Sequence, residues 1–236
     1  MNRLIAVARL QLIAPTFQLA MPWLILAASL VVSILAPSVS DDRDLAHYGA
    51  GGLVLFYFAF CVVYVQVVAT LLPYAMGLSL TRRTFYLGTV LFAALQSLIY
   101  GVLFYLLLLV ERGTDGWGVR QPFFSGGWYV PGDSWVVDNP AEQVAIFAVP
   151  MFVLALLGML IGVVYRRFGP RGVFVMLTLS VVGTSGGIAG LILWLKDSYF
   201  AFFTEQSAFV LFASWPLVLC VVFALAGYVG IRRVVP

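Results

Sequence analysis

The chain has 236 residues, of which 63% are hydrophobic and only 10% are charged. A soluble domain carries roughly 25% charged residues, so a water-soluble fold of this length would lack the polar surface to cover its core. The net charge is only +3, and no basic cluster of nucleic-acid type occurs, which argues against a nucleic-acid partner.

Lipid is the natural solvent for such a sequence. A spanning helix uses roughly 20 apolar residues, and six apolar runs meet that requirement: 17–36, 50–72, 86–110, 144–165, 172–195 and 208–231. Charges, Pro and Gly mark their ends, as expected where backbone leaves hydrocarbon. Trp23, Trp194 and Trp215 lie near run ends, where an indole suits the membrane–water interface. The expected fold is therefore an all-α integral membrane protein, a single transmembrane domain over residues 1–236 with six spanning helices.

Ahead of the first run, residues 1–15 read as a short amphipathic helix on the membrane surface. Leu4, Ile5, Ala8 and Leu12 share one arc at 100° per residue, with Asn2, Arg3 and Arg9 outside it. The competing reading is a simple extension of the first span. Because that span is long enough to cross and five more follow, the first helix is expected to be retained rather than cleaved as a signal peptide.

Charge placement orients the chain. Arg3, Arg9, Arg82, Arg83, Arg166, Arg167, Arg171, Arg232 and Arg233 fall on one side, with no acid among them. The other side holds all ten acids and only Arg43, Arg112, Arg120 and Lys196 as bases. The positive-inside rule puts the first side, and both termini, in the cytoplasm. The expected location is a bacterial plasma (inner) membrane, as a multi-pass protein.

Several chemistries are disfavoured. No Asp, Glu, Lys, Arg or His sits in the middle of any run, which argues against a proton-coupled transporter or ion pump. There is no GxxxxGK[ST] loop, so nucleotide is not bound by that route. Cys61 and Cys220 lie in apolar runs without CxxC spacing and read as free thiols. Asp41, Asp42, Asp44 and His47 read as solvated loop residues, so no metal site is expected. Gly183-Thr184-Ser185-Gly186 matches the GxSG of rhomboid-type intramembrane proteases. A serine nucleophile needs a base in reach, however, and the sole histidine, His47, lies in the first outer loop. No catalytic residue is assigned.

The same segment reads better as packing. Gly183, Gly186, Gly187 and Gly190 form overlapping GxxxG patterns that let helix backbones approach closely, within one subunit or across a dimer seam; Gly158 and Gly162 form another. The longest outer loop, 111–143, is rich in Gly, Pro and aromatics, among them Trp117, Phe123, Phe124, Trp128, Tyr129 and Trp135. These residues read as interfacial aromatics resting on headgroups; the sharper alternative is a lid over an exit path for an apolar substrate.

The second-to-third connection, 73–88, follows a proline and mixes polar and apolar residues. Ser79 or Thr81 suits the cap of a short helix carrying Arg82, Arg83 and Phe85; the plainer alternative is a tight turn with two topology-setting arginines. Its order of Pro73, Gly77, Thr81, Arg82, Arg83, Phe85 and Gly88 resembles the first cytoplasmic connection of type-2 ATP-binding-cassette exporter permeases. The surface helix, six spans and inside termini match that family's layout as well. The resemblance covers the whole chain as architecture and about sixteen residues as motif.

It implies a permease subunit that exports an apolar or amphipathic substrate. Gly77, Leu78, Ser79, Thr81, Arg82, Arg83 and Phe85 would form the coupling segment that docks on a cytoplasmic ATPase subunit. ATP and Mg would be bound by that partner, with no cofactor in this chain. A second permease subunit, identical or homologous, would pair with this one, its seam at or near the glycine-rich fifth helix. The family often has re-entrant outer helices between the fifth and sixth spans, whereas here that connection, 196–207, is short. The rival classes are a non-transporting membrane scaffold and, third, the rhomboid-like protease.

Overall fold

The computed structural model describes residues 7, 10, 11, 16–39, 51–120, 123–125, 137–194, 207 and 209–232, except for the side chains of 16, 17, 36–39, 51, 119, 120 and 180–194. The described residues are helical apart from short turns, and none is in a strand.

Helix α1 is Met21–Val39, entered through a wide π-helical turn, Thr16–Ala20. Helix α2, Gly51–Gln66, continues through a second such turn, Val67–Leu71, into α3, Leu72–Gly77. Helix α4 is Arg82–Gly113 and α5 is Pro140–Trp194. Helix α6, Trp215–Ile231, follows the π-helical turn Val210–Ser214. Five of these helical stretches are long and apolar enough to cross a membrane. Their outward faces carry Leu24, Val32, Leu91, Leu95, Val218 and Leu225, all exposed. Water would penalise such continuous apolar faces, so the architecture is that of a multi-pass membrane protein.

Helix α5 contains one break. Gly169 has φ 67° and ψ −167°, a conformation open essentially to glycine alone. Pro170 follows and begins the second stretch, where its missing N–H costs nothing. Unbroken, 55 residues would extend about 80 Å, far beyond the roughly 30 Å hydrocarbon layer. The break divides α5 into stretches 140–168 and 170–194.

Contacts fix the helix directions. Tyr57 meets Phe147, and the Gly162 backbone lies against Val65 and Val68, so α2–α3 and the first stretch of α5 run the same way. Helix α4 runs opposite to both, with Gly101 against Val144 and Ala148. Helix α6 is also antiparallel to α4: the Tyr86 hydroxyl donates to the Ala224 carbonyl at 2.9 Å, and Gly230 lies beside Val163. Helix α1 follows α4, its Trp23 ring 5.3 Å from Tyr100 and 6.0 Å from Phe104.

Glycine decides the closest of these approaches. A Cβ on Gly158 would lie 2.3 Å from the Cys61 carbonyl oxygen, and one on Gly162 would lie 2.9 Å from that of Val65. The GxxxG pattern at 158 and 162 thus packs α5 on α2 within this chain. Gly183, Gly186, Gly187 and Gly190 are helical in the second stretch of α5, but what they pack against lies outside the described residues.

The core is largely aromatic. Phe56, Phe60, Tyr100 and Phe104 are buried, and Trp23 packs edge-on against Phe56, Tyr100 and Phe104. Trp23 is therefore a packing residue rather than an interfacial anchor, because its neighbours supply the edge-to-face contacts that headgroups cannot. Trp215 remains exposed. Cys61 and Cys220 are buried free thiols.

Three residues of the 1–15 segment ahead of the first span are described. These, Val7, Leu10 and Gln11, are helical and buried. Val7 fills the space above Gly88. The Gln11 amide donates to Thr89 Oγ1 at 2.9 Å, and Gln18 donates to Gln11 Oε1 at 2.7 Å. These residues are docked on α4 by a buried polar ladder. The expected apolar arc at Leu4, Ile5, Ala8 and Leu12 lies outside the described residues, as do Asp41, Asp42, Asp44 and His47.

Candidate functional site

The alternating directions gather Arg82, Arg83, Arg166, Arg167, Arg171 and Arg232 at one end of the bundle. Glu111, Asp115, Asp138 and Glu142 lie at the other, and no described acid shares the basic end. The connection 73–88 sits at that basic end.

Its geometry follows from two helix termini in succession. At the end of α3, Ser79 N–H donates to the Met76 carbonyl at 3.1 Å and Leu80 N–H to the Ala75 carbonyl at 3.1 Å, closing a Schellman turn. Ser79 occupies the left-handed position, with φ 61°. Glycine usually takes that position, because a Cβ there costs roughly 1–2 kcal/mol. The glycine present, Gly77, lies two residues earlier, in helix and in open space. Thr81 then caps α4, accepting from the Thr84 amide at 3.2 Å, with φ −75° and ψ 147°. The threonine cap is therefore real, but what it caps is the 32-residue α4 itself. Across 73–88, α3, which continues α2, ends at Gly77, and a tight turn leads from it directly into α4.

The turn presents some of its residues and buries others. Gly77, Leu78, Ser79, Thr81 and Arg83 are exposed, as is Tyr74, and Arg82 is half-buried. Phe85 is fully buried. It anchors the start of α4 in the core and is unavailable to a partner. Arg82 reaches the Arg232 carbonyl at 3.4 Å, while Arg232 donates to the Tyr228 hydroxyl at 2.8 Å and lies over its ring at 4.4 Å. The last turn of α6 is thus tied to the first turn of α4. On the adjoining end of α5, the Arg166 Nε is buried without a hydrogen-bond partner, and Arg167 stacks on Phe168 at 4.8 Å. The result is a cationic end of the bundle on which Tyr74 and Leu78 are exposed apolar side chains.

Two further polar constellations were not expected. The Tyr64 hydroxyl donates to Gln96 Oε1 at 2.7 Å, and Gln96 Nε2 donates to the Tyr100 hydroxyl at 3.0 Å, a chain buried among the spans. At the acidic end, Glu111 is 2% exposed. Its carboxylate accepts the Phe123, Phe124 and Ser125 amides at 3.1, 2.7 and 3.0 Å, the Trp117 indole at 3.0 Å and the Ser125 hydroxyl at 2.5 Å. Four consecutive residues, Asp115 to Gly118, adopt positive φ to bring Trp117 back over it. Phe123 and Phe124 are consequently buried, and the partly buried Trp117 packs on the core. Trp128, Tyr129 and Trp135 lie outside the described residues. Most donors to Glu111 are backbone amides, which leave no side-chain signature in the sequence.

No family model, curated protein or solved structure matches the chain.

Proposed function

We propose that this chain is the membrane-spanning permease subunit of a type-2 ATP-binding-cassette exporter, with six spans and both ends in the cytoplasm. The observation that carries this reading is the exposed Tyr74–Leu78–Arg83 face, set on a turn whose two arms are core-packed helices. Force applied to such a turn passes into α2–α3 and α4 as rigid bodies rather than being lost in a loose loop. The exposed apolar side chains with adjacent arginines suit a groove on a cytoplasmic ATPase subunit, which would bind ATP and Mg. Gly77, Leu78, Ser79, Thr81, Arg82 and Arg83 would form the contact, with Phe85 as its buried anchor.

A sixth span is consistent with the helix directions. The first stretch of α5 and α6 both run toward the basic end, and a return crossing between them would bring the number of spans to six. Residues 170–194, at about 1.5 Å each, are long enough to do so. The excess of arginine at that end supports a cytoplasmic placement, and the membrane would be a bacterial plasma membrane. A second permease subunit would pair along the second stretch of α5, at Gly183, Gly186, Gly187 and Gly190. The substrate would be apolar or amphipathic and would move outward.

Reversing charge at the turn tests the coupling role. Arg82→Glu with Arg83→Glu is expected to lower ATPase activity of the reconstituted complex by about tenfold, equivalent to roughly 1.4 kcal/mol, while the permease keeps its melting temperature. Unchanged hydrolysis and transport in the folded variant would remove the coupling role and favour a membrane scaffold.

A further inference from the structure

A cavity of about 460 Å³ lies toward the acidic end, between α2, the first stretch of α5 and the start of α6. Its inner wall is made of Leu53, Ile146, Phe147 and Val153, all buried, and Phe124 closes one end. Val54, Phe58 and Leu219 stand at its mouth and are 43%, 67% and 46% exposed. That mouth therefore opens sideways, onto the same apolar surface that the spans present outward.

The lining excludes most ligands. Among the described lining residues the only hydroxyl, that of Tyr57, already donates to the Phe147 carbonyl at 3.1 Å, and none carries a charge. Water entering it would find too few hydrogen-bond partners, and a void of this size left empty forfeits dispersion contacts along its whole lining. A polar solute would have nothing to orient it. A flexible hydrocarbon chain satisfies every wall and can enter from the side without leaving hydrocarbon.

We propose that this cavity holds an acyl chain of a membrane phospholipid, and that Glu111 keeps it closed at the end by fixing Phe124. The Phe124 amide is held by the Glu111 carboxylate at 2.7 Å, and its ring packs on Phe104 and Phe123 at 5.5 and 5.0 Å. The chain terminus would thus stop against Phe124, and the headgroup would remain outside the mouth. This inference rests on the multi-pass membrane reading and not on any motor or transport step.

The test is a labelling map. The protein is placed in nanodiscs of phosphatidylglycerol with a diazirine on the acyl chain, irradiated, and digested for mass spectrometry. Label on Ile146, Phe147 and Leu53, residues that bulk lipid does not reach, is the expected result. Label confined to exposed positions such as Phe58, Leu91 and Leu219 would leave the membrane reading intact and overturn the site. No label on any exposed apolar face would overturn the membrane reading itself. Filling the cavity with Leu154→Trp should abolish label on Ile146 and Phe147 while keeping it on Leu91; persistence at the inner wall would contradict the proposal. The wild-type map is decisive without the variant, should Leu154→Trp fail to fold.

Discussion

Gly158→Ala is expected to destabilise the protein by about 2–3 kcal/mol, a large effect for a single methyl group. The new Cβ would lie 2.3 Å from the Cys61 carbonyl oxygen and 3.1 Å from the Tyr64 Cβ. The first of these is backbone in the middle of α2 and cannot rotate away, so the two helices must separate. Separation would loosen the contacts of Gly162 on Val68 and of Tyr57 on Phe147 along the same seam. In a thermal melt of purified protein the loss should read as roughly 5–10 °C. Gly113→Ala serves as the control, since nothing lies within 4 Å of a Cβ there; it should stay within about 0.5 kcal/mol of wild type. Equal melting temperatures for Gly158→Ala and Gly113→Ala would mean that α2 and α5 do not meet as described.

The second large effect is at Glu111. Glu111→Ala removes the acceptor of three backbone amides, an indole N–H and a hydroxyl at once. A buried donor left without a partner costs about 1–3 kcal/mol, so the turn at 123–125 should open at a cost of at least about 3 kcal/mol, nearer the free energy of local unfolding than of a side-chain trim. Amide hydrogen exchange at Phe123 and Phe124 is the direct readout. Protection in the wild type should fall by roughly a hundredfold in the variant, following the same free energy. Exchange already fast in the wild type would contradict a carboxylate-centred turn.

Hydropathy and charge made the helical architecture legible. Runs of apolar residues marked where helices lie, and the arginine pairs marked their shared end. The break between the fourth and fifth runs was readable as a cluster of Arg, Gly and Pro, although the sequence did not show that it narrows to the single residue Gly169. Helix ends were less legible: α4 begins at Arg82, four residues before the apolar run at 86, because the Thr81 cap and burial of Phe85 extend it past the hydrophobic stretch.

At the candidate site the exposed residues Leu78, Ser79 and Arg83 were legible as a connection, but their geometry was not. A left-handed Ser79 carries no compositional sign where glycine is the usual choice. Glu111, Gln96 and Gln11 were missed for a different reason. Hydropathy measures preference between water and lipid, whereas Gln96 and Gln11 find their partners in residues distant along the chain, Tyr64 and Thr89, and Glu111 finds most of its own in backbone amides. Trp23 likewise looked interfacial by position and is instead held by rings on α2 and α4.

A permease of the proposed kind attaches to an external motor at its basic end. Isolation of the chain from its native membrane in mild detergent, with mass-spectrometric identification of what accompanies it, tests that claim most directly. The account predicts a stoichiometric cytoplasmic ATPase subunit bearing a GxxxxGK[ST] loop, retained by wild type and lost from Arg82→Glu with Arg83→Glu. Recovery of the intact chain without any such ATPase would contradict it.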